Sequence, residues 1–237
     1  MTPAVDRVLD HAVWHALTGP QRSFAAASGV AVRYRQIVAP FGAIRPGSSD
    51  GDPAGASGAW SDLARLVGPG GTVGLSGDRL DVPAGWEVVR EGQALQLVGT
   101  GVVPEVDPEA VALGVADVPD MLALIERTRP GPFLPETVTL GGYVGIRFAG
   151  RLVAMAGERM RPPGHAEISA VATLPAVRGK GLATRLVRSV AAAVSARGET
   201  PFLHVAVDNV DAVRLYRRLG FEERRVVVFQ HVRRAPG

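Results

Sequence analysis

Residues 170–184 are the part of this chain whose residue types and spacing most clearly indicate chemistry. They read as the end of a β-strand, a glycine-rich basic turn and the start of an amphipathic helix. Gly179 and Gly181 let the backbone come close to a ligand, and the free N–H groups of the helix's first turn point at one spot, backed by the positive end of the helix dipole. Arg178 and Lys180 add two cations at the same corner. The segment therefore predicts a pyrophosphate site for a phosphate-bearing cofactor and leaves open which cofactor.

Two other phosphate-binding motifs resemble this turn in part. A dinucleotide fold needs a third glycine where Thr184 stands, and fewer than 30 residues follow Asp208, too few to complete a doubly wound sheet. A P-loop is excluded because Gly181 follows Lys180 and no glycine lies five residues before Gly179. Lys180 is the sole lysine, and its alternative interpretation is a surface residue, because backbone amides hold phosphates without it.

The composition is that of an ordinary globular protein. Of the 237 residues, 46% are hydrophobic and 21% are charged, which suits one large domain or two small ones. No apolar run reaches the roughly 18 residues of a membrane span. No basic and then apolar leader opens the sequence. We therefore expect a cytoplasmic protein with no membrane partner.

Charge and cysteine content narrow the chemistry. The net charge is +3, but nearly all cations are arginines scattered among 23 acidic residues, and aromatic residues make up only 5% of the chain. These values predict no nucleic-acid partner. The sequence contains no cysteine, which excludes disulfides, thiolate metal ligands and an acyl-cysteine intermediate. Group transfer would then be direct or use another nucleophile, and we expect no metal site.

Residues 1–100 are predicted to form a lobe without a chemical motif. Its predicted elements are a helix over 5–17, a strand over 30–38, a mobile loop over 40–58, a helix over 60–67, a strand over 72–75, and a hairpin of 86–90 with 94–98. Prolines and acidic residues in 101–108 mark its boundary. We expect this lobe to cover one edge of the sheet formed by the rest of the chain and to form one wall of the cleft in which that part of the chain binds its substrate.

Residues 109–232 show a clearer alternation of strands and helices. The predicted elements are a strand over 111–113, a helix opened by Asp117, a hairpin of 143–148 with 152–159, strands over 167–173 and 202–207 around a helix from 182 to 198, a short helix after residue 208 or 209, and a strand over 226–229. Met121, Leu122 and Ile125 form the buried face of the first helix. The pattern predicts an α/β fold, of the α+β type with a mixed sheet, preceded by a smaller irregular α/β lobe.

Two motifs together resemble a known family. R-x-x-G-x-A at residues 178–183 and N-x-x-A-x-x-L-Y-x-x-x-G-F at residues 209–221 are similar to the paired signature of the GNAT superfamily of acyl-CoA-dependent N-acyltransferases. Their order, separation and strand-turn-helix setting match as well. The resemblance covers about residues 111–232. The general layout of residues 1–100 resembles the degenerate, GNAT-like N-terminal lobe of a bacterial subgroup.

The resemblance implies acetyl-CoA, or another acyl-CoA, as co-substrate. The strand before the turn would hold the pantetheine arm as if it were another strand, and an N–H near Val171 or Ala172 would polarise the thioester carbonyl. Asn209 would contact the CoA arm, and Tyr216 would protonate the leaving thiolate. The implied binding residues of the strand and turn are Val171, Ala172, Thr173, Arg178, Gly179, Lys180, Gly181, Leu182, Ala183 and Thr184.

The incoming amine must lose a proton, and family members often place a carboxylate for this on the strand before the turn. Glu167 is therefore predicted to be the general base, acting through a water; its alternative interpretation is a solvated or ion-paired strand residue. His165 and His204 are rival bases, each with a structural alternative. For Tyr216 the alternative to catalysis is an amphipathic tyrosine at the edge of the core.

These inferences predict an N-acetyltransferase that moves an acetyl group from acetyl-CoA directly to an amine through a ternary complex. The alternative is a non-catalytic sensor or scaffold that binds acyl-CoA. The acceptor would be a small-molecule or peptide amine, enclosed by residues 117–135 and 161–165. The protein is expected to be a monomer or a homodimer.

Overall fold

The computed structural model describes residues 5–48 and 53–236. Within those ranges the first half of the chain contributes three α-helices and five strands. They are α1 (Val5–Asp10), α2 (Ala12–Thr18), β1 (Ala25–Ser28), β2 (Ala31–Tyr34), β3 (Gly42–Ile44), α3 (Pro53–Val67), β4 (Thr72–Gly77) and β5 (Trp86–Val98).

The second half follows the order of elements predicted from its sequence. Helix α4 begins after Asp117 with a proline in its first turn, where the missing N–H costs no hydrogen bond. The elements are β6 (Val111–Leu113), α4 (Val118–Thr128), β7 (Tyr143–Phe148), β8 (Arg151–Glu158), β9 (His165–Thr173), α5 (Leu182–Ala196), β10 (Thr200–Ala206), α6 (Val210–Arg218) and β11 (Glu222–Arg234).

One eight-stranded sheet joins the two halves of the chain. Its order is β4-β11-β5-β10-β9-β8-β7-β6. β9 and β10 are parallel, and the other neighbours are antiparallel, so the sheet is mixed as predicted. β5 belongs to the first half and lies between β10 and β11 of the second half. Strands β1, β2 and β3 form a separate small sheet.

Strand β10 separates two hydrophobic cores. Successive side chains of a strand point to opposite faces. Phe202 packs in a core with residues of the first half, including Leu17 and Tyr34. Leu203 and Val205 lie in the larger core, which contains the buried face of α5. The first-half lobe therefore packs on one face of the sheet at β10, and α5 packs on the other.

The connection from β5 to β6 is fixed along α5 by polar contacts. Arg185 donates to Asp107 at 2.8 Å and also pairs with Glu109. The hydroxyl of Ser189 accepts from the Asp107 N–H at 2.8 Å and donates to the Glu105 carbonyl at 3.2 Å. Arg185 lowers the pKa of the Asp107 carboxyl. This segment, expected to be a plain boundary, is held to the helix that follows the glycine turn.

The first half departs from its sequence prediction in several places. The expected helix over 5–17 is interrupted at His11, whose φ of −128° and ψ of 48° are not helical. The expected hairpin over 86–98 is one strand, because β11 pairs with it along its length, including Gly92 with Phe229, and β10 pairs with its last five residues. The expected loop over 40–58 contains β3 and the start of α3. Residues 49–52 of that loop lie outside the described residues.

The lobe was also expected to cover an edge of the sheet, and this expectation was wrong for β5. β5 supplies an interior strand, with β10 on one side and β11 on the other. Both neighbours pair their backbone groups with β5. β10 pairs with Ala94 to Val98 of β5, and β11 pairs with nearly all of it.

Removing residues 1–101 should therefore damage the whole sheet. A chain that starts at Val102 would lose β5, leaving unpaired backbone edges on β10 and β11. We expect this fragment to aggregate or to elute as a broad distribution in size-exclusion chromatography, with the full chain as control. A monodisperse fragment with full CoA-release activity would contradict this prediction.

Candidate active site

The glycine turn has the open geometry that an anion site requires. Gly179 and Gly181 have φ values of 78° and 75°, in the left-handed region that favours glycine. A Cβ added at either position would meet no other atom within 4 Å. The first i to i−4 hydrogen bond of α5 is donated by Arg185 to Gly181 at 3.1 Å. The N–H groups of residues 182–184 precede it and lack helical acceptors, and no acidic residue lies in this turn.

A cleft opens between β9 and β10 next to this turn. Their ladder has three residue pairs and ends where Glu167 faces Phe202. β9 nevertheless continues to Thr173 and β10 to Ala206. The two strands therefore separate, and we call the gap the β9–β10 cleft. Among the described residues no strand pairs with this edge of residues 170–173, and Arg178 Nε donates to the Thr173 carbonyl at 3.3 Å. An extended chain could pair with the edge, as predicted for the pantetheine arm.

Two local features distinguish the last residues of β9. The Thr173 hydroxyl is buried and has no hydrogen-bond partner within the described part of the chain. Ala170 has a φ of 51°, and the register with β8 shifts between Met155 and Gly157. Such a bulge turns backbone groups out of the ladder. Val171 and Ala172, the predicted oxyanion donors, follow it directly.

Helix α6 places Tyr216 in the larger core, together with the buried residues of α5. Asn209 caps the helix, with its side-chain oxygen accepting from the Ala212 N–H at 3.3 Å. The Tyr216 ring is largely buried in the core and packs edge-on against Phe221 with centroids 5.8 Å apart. Burial raises the pKa of the Tyr216 hydroxyl to about 12. The phenol is therefore protonated near neutral pH, as a proton donor must be.

Glu167 lies in a buried network of hydrogen bonds. Its two carboxylate oxygens accept from Arg159 Nε and Nη2, both at 2.8 Å. His204 Nδ1 lies 2.8 Å from the same carboxylate. Burial raises the pKa of Glu167, but Arg159 and His204 outweigh it and hold the pKa at about 2. These contacts match the ion-paired interpretation of Glu167, and its role as general base stays a prediction.

The two rival bases also have structural partners. His165 is buried, with Nδ1 3.0 Å from the Pro163 carbonyl oxygen. Nε2 of His204 lies 3.1 Å from Gln96 Nε2. Both rings pack edge-on against Phe202. These contacts match the structural alternative for each histidine, and a role as base stays untested.

Sequence reasoning missed Arg159 and Gln96, which complete this network. Arg159 was predicted only as the end of a strand, although it follows an apolar strand and is followed eight residues later by the candidate base Glu167. The Arg159 guanidinium also lies 4.7 Å from the centre of the Phe41 ring. Gln96 carried no signal, because its neighbour His204 is distant in sequence.

The structure shows two further absences. Across residues 5–48 and 53–236, no group of histidine and acidic side chains is arranged to hold a metal ion. In the same ranges no helix has the length and apolar character needed to span a membrane.

Comparison with known proteins identifies the family. The FR47-like protein family matches residues 143–230. A GNAT-family acetyltransferase structure from Novosphingobium aromaticivorans has a TM-score of 0.86 and 42% sequence identity, and the match covers 96% of this chain and 98% of that chain. The chain therefore belongs to the GNAT family of acetyltransferases, and the resemblance seen in its motifs is confirmed. GNAT acetyltransferases use acetyl-CoA.

Two other proteins are similar to this chain, one in sequence over part of its length and one in fold. It is 40% identical over 83 residues to N-alpha-acetyltransferase RimI from Mycobacterium tuberculosis, a match covering 34% of this chain and 51% of RimI. The match thus spans about half the length of RimI. A GCN5-related N-acetyltransferase from Kribbella flavida shares the fold, with a TM-score of 0.64 at 19% identity, over 100% of this chain and 98% of that chain.

The ion pair of Glu167 predicts a specific pH dependence of stability. Near pH 7, Glu167→Gln should lower the free energy of unfolding by about 3 kcal/mol, because Arg159 stays buried without its counter-charge. The folded pKa of Glu167 is below its ordinary 4.5, so the ion pair contributes fully above that pH and is lost as pH falls towards about 2. The stability gap between wild type and variant should therefore shrink across this window.

Urea unfolding at several pH values measures this gap. Glu109→Gln is the matched control, since it removes a carboxylate that pairs with Arg185 but is 70% exposed, and it should change stability little. A gap for Glu167→Gln that is constant from neutral pH down to pH 2.5 would contradict the low pKa of Glu167.

Proposed function

We propose that this protein is an N-acetyltransferase that transfers an acetyl group from acetyl-CoA directly to an amine while both are bound. The observation that carries the proposal is the placement of the glycine turn at the end of the β9–β10 cleft. The turn offers N–H groups to a pyrophosphate, and the cleft offers a strand edge to an extended arm. Family membership supports the same co-substrate.

The proposed binding residues follow the path from turn to cleft. The amides of residues 178–184 would take the pyrophosphate, with Arg178 and Lys180 adding charge. The backbone of Val171, Ala172 and Thr173 would hold the pantetheine arm. Asn209 would contact the arm from the start of α6, although its side-chain oxygen already caps the helix.

The proposed chemistry is direct acyl transfer. Acetyl-CoA supplies an activated thioester, and an N–H at Val171 or Ala172 would stabilise charge on its carbonyl oxygen. Tyr216, protonated near neutral pH, would give its proton to the departing thiolate. Because the chain has no cysteine, no thiol is available for an acyl-enzyme step. The two oxygens of Glu167 are occupied, so the proposal does not route the amine proton directly to them.

The acceptor is proposed to be an amine of a small molecule or a peptide. The RimI relative is by name an N-alpha-acetyltransferase, which supports including α-amines among the candidates. A hollow of about 190 Å³ lies between α4 and β8, next to Leu174, and is lined by Asp120, Glu126, Arg127 and Arg151. Its lining residues from α4 belong to residues 117–135, which are proposed to enclose the acceptor.

Gly181→Asp should abolish CoA binding. The new carboxylate would lie against the pyrophosphate site, and its Cβ would occupy the open space in front of the turn. Gly198→Asp at the other end of α5 is the matched control, because Gly198 has a φ of 73° and equally open surroundings. Isothermal titration calorimetry should show CoA binding to wild type and Gly198→Asp only. NAD should not compete, and unchanged affinity in Gly181→Asp would show that the site lies elsewhere.

Tyr216→Phe should keep CoA binding and slow acetyl transfer by about 10²-fold, because the thiolate would leave without its proton donor. Tyr143→Phe is the control, since the Tyr143 hydroxyl is buried without a partner in the described ranges. CoA release measured with a panel of amines, amino acids and peptides reports transfer. An unchanged rate in Tyr216→Phe would assign the residue to core packing.

The same assay separates the enzyme from the sensor. A chain that binds acetyl-CoA with one-to-one stoichiometry but releases no CoA with any amine in the panel would favour the non-catalytic alternative.

A further inference from the structure

We propose that Glu167 and His204, here called the apex pair, are positioning residues that set the opening of the β9–β10 cleft and hence the affinity for acetyl-CoA. The inference rests on the proposed function, since it assigns the cleft to that co-substrate. It gives Glu167 a role other than the proton acceptor expected from its sequence position.

The apex pair lies where the pairing of β9 with β10 ends. Glu167 is the last residue of β9 that pairs with β10, opposite Phe202. His204 lies two residues beyond Phe202, on the same face of β10. Their contact of 2.8 Å between Nδ1 and the carboxylate therefore joins the two strands at the point where the backbone ladder stops. Because Glu167 is ionised and acts only as an acceptor, Nδ1 donates this hydrogen bond.

The polar atoms of the apex pair already have hydrogen-bond partners. One Glu167 oxygen accepts from Arg159 Nη2 and His204, and the other accepts from Arg159 Nε and, at 3.4 Å, from the Met160 N–H. The Glu167 side chain is 1% exposed and that of His204 is 6% exposed. On the far side of the ring, Nε2 faces the Gln96 amide at 3.1 Å. Such a closed network holds a geometry and offers no free lone pair to an incoming amine.

Residues of the first-half lobe hold this network in place. Gln96 on β5 donates to the Leu9 carbonyl at 3.0 Å and accepts from Arg224 at 2.6 Å. Gln21 donates to the Arg159 carbonyl at 2.7 Å and accepts from the Tyr34 hydroxyl at 2.6 Å. Both sides of the apex pair are thus fixed to residues of the first half. The lobe, which has no chemical motif, would therefore contribute to co-substrate binding by fixing the apex pair.

The consequence concerns binding more than chemistry. Without the side-chain bond, β9 and β10 would keep the three backbone pairs and their shared core packing, but among the described residues no hydrogen bond would join them beyond Phe202. The angle between the strands would then vary, and an extended arm would have to fix that angle when it binds. We therefore expect loss of the bond to raise Kd and KM for acetyl-CoA more than it lowers kcat.

A pair of variants of equal size tests this inference in the full chain. In His204→Asn the side-chain nitrogen can stand where Nδ1 stands and donate to Glu167, whereas His204→Leu has the same shape and no donor. Both variants lose the contact to Gln96 equally. We expect Kd for CoA to rise by about tenfold in His204→Leu and to stay within about threefold of wild type in His204→Asn, because a hydrogen bond to a charged group is lost only in the former. Calorimetry gives Kd, and circular dichroism checks folding.

The pH profile separates positioning from proton transfer. If the apex pair were the general base, both variants would lose kcat and the limb of the pH–rate profile that it sets, with Kd unchanged, and the inference would be overturned. Unchanged Kd in His204→Leu would overturn it as well. His204→Met replaces the leucine variant if that variant does not fold.

Failure of the proposed function would look different. A wild-type chain that binds CoA but transfers nothing to any amine would end the proposed reaction, while the Kd comparison would still decide the role of the apex pair. A wild-type chain that does not bind CoA would end both.

Discussion

The structure depends on the pairing of β10 with β5. Beyond Phe202, β10 no longer pairs with β9, and strands normally keep their backbone groups paired. Residues 202–206 of β10 instead pair with β5 in continuous register. That pairing lets β10 leave β9 without becoming a free strand. The cleft, and with it the predicted co-substrate site, therefore rests on a strand contributed by the first half of the chain.

A buried ion pair lies at the closed end of the β9–β10 cleft, whereas the exposed glycine turn has no acidic side chain beside its cations in the first turn of α5. Arg159 and Glu167 form a buried ion pair, which is weak evidence for stability because removing two charges from water costs about what their attraction returns. Its value lies in geometry, since each partner has directional bonds that only one arrangement satisfies. The turn at Arg178 and Lys180 is exposed, and no acidic side chain lies in the first turn of α5. A rigid interior thus adjoins a positive surface that is open to an anion.

Much of the second half could be predicted from sequence because its signals are local. The glycines of the turn, the apolar spacing of α5 and the N-cap at Asn209 each act within a few residues, and the structure has the expected elements there. The paired motifs identified the family, and the comparisons confirm it. The roles assigned to Tyr216, Glu167 and the cofactor-binding residues stay predictions.

The errors arose where distant segments decide the outcome. Gly92 was interpreted as a turn, but pairing with β11 keeps β5 extended through it. Arg159 and Gln96 meet Glu167 and His204 only in the folded chain, so no spacing rule could place them together. Local patterns predict elements, whereas partners across a sheet depend on the order of its strands.

The position of β5 also has a consequence for how the chain folds during synthesis. β5 leaves the ribosome roughly 100 residues before β10, which pairs Phe202 with Val98, and still longer before β11, which pairs Glu222 with Val98. Until β10 and β11 are made, its 13 residues have no partner on either edge, and exposed valines such as Val88 and Val89 lie along it. Such non-local pairing slows folding and favours association with other chains. Completion of the sheet must therefore wait until β11 has been made, so the sheet forms late relative to the synthesis of β5.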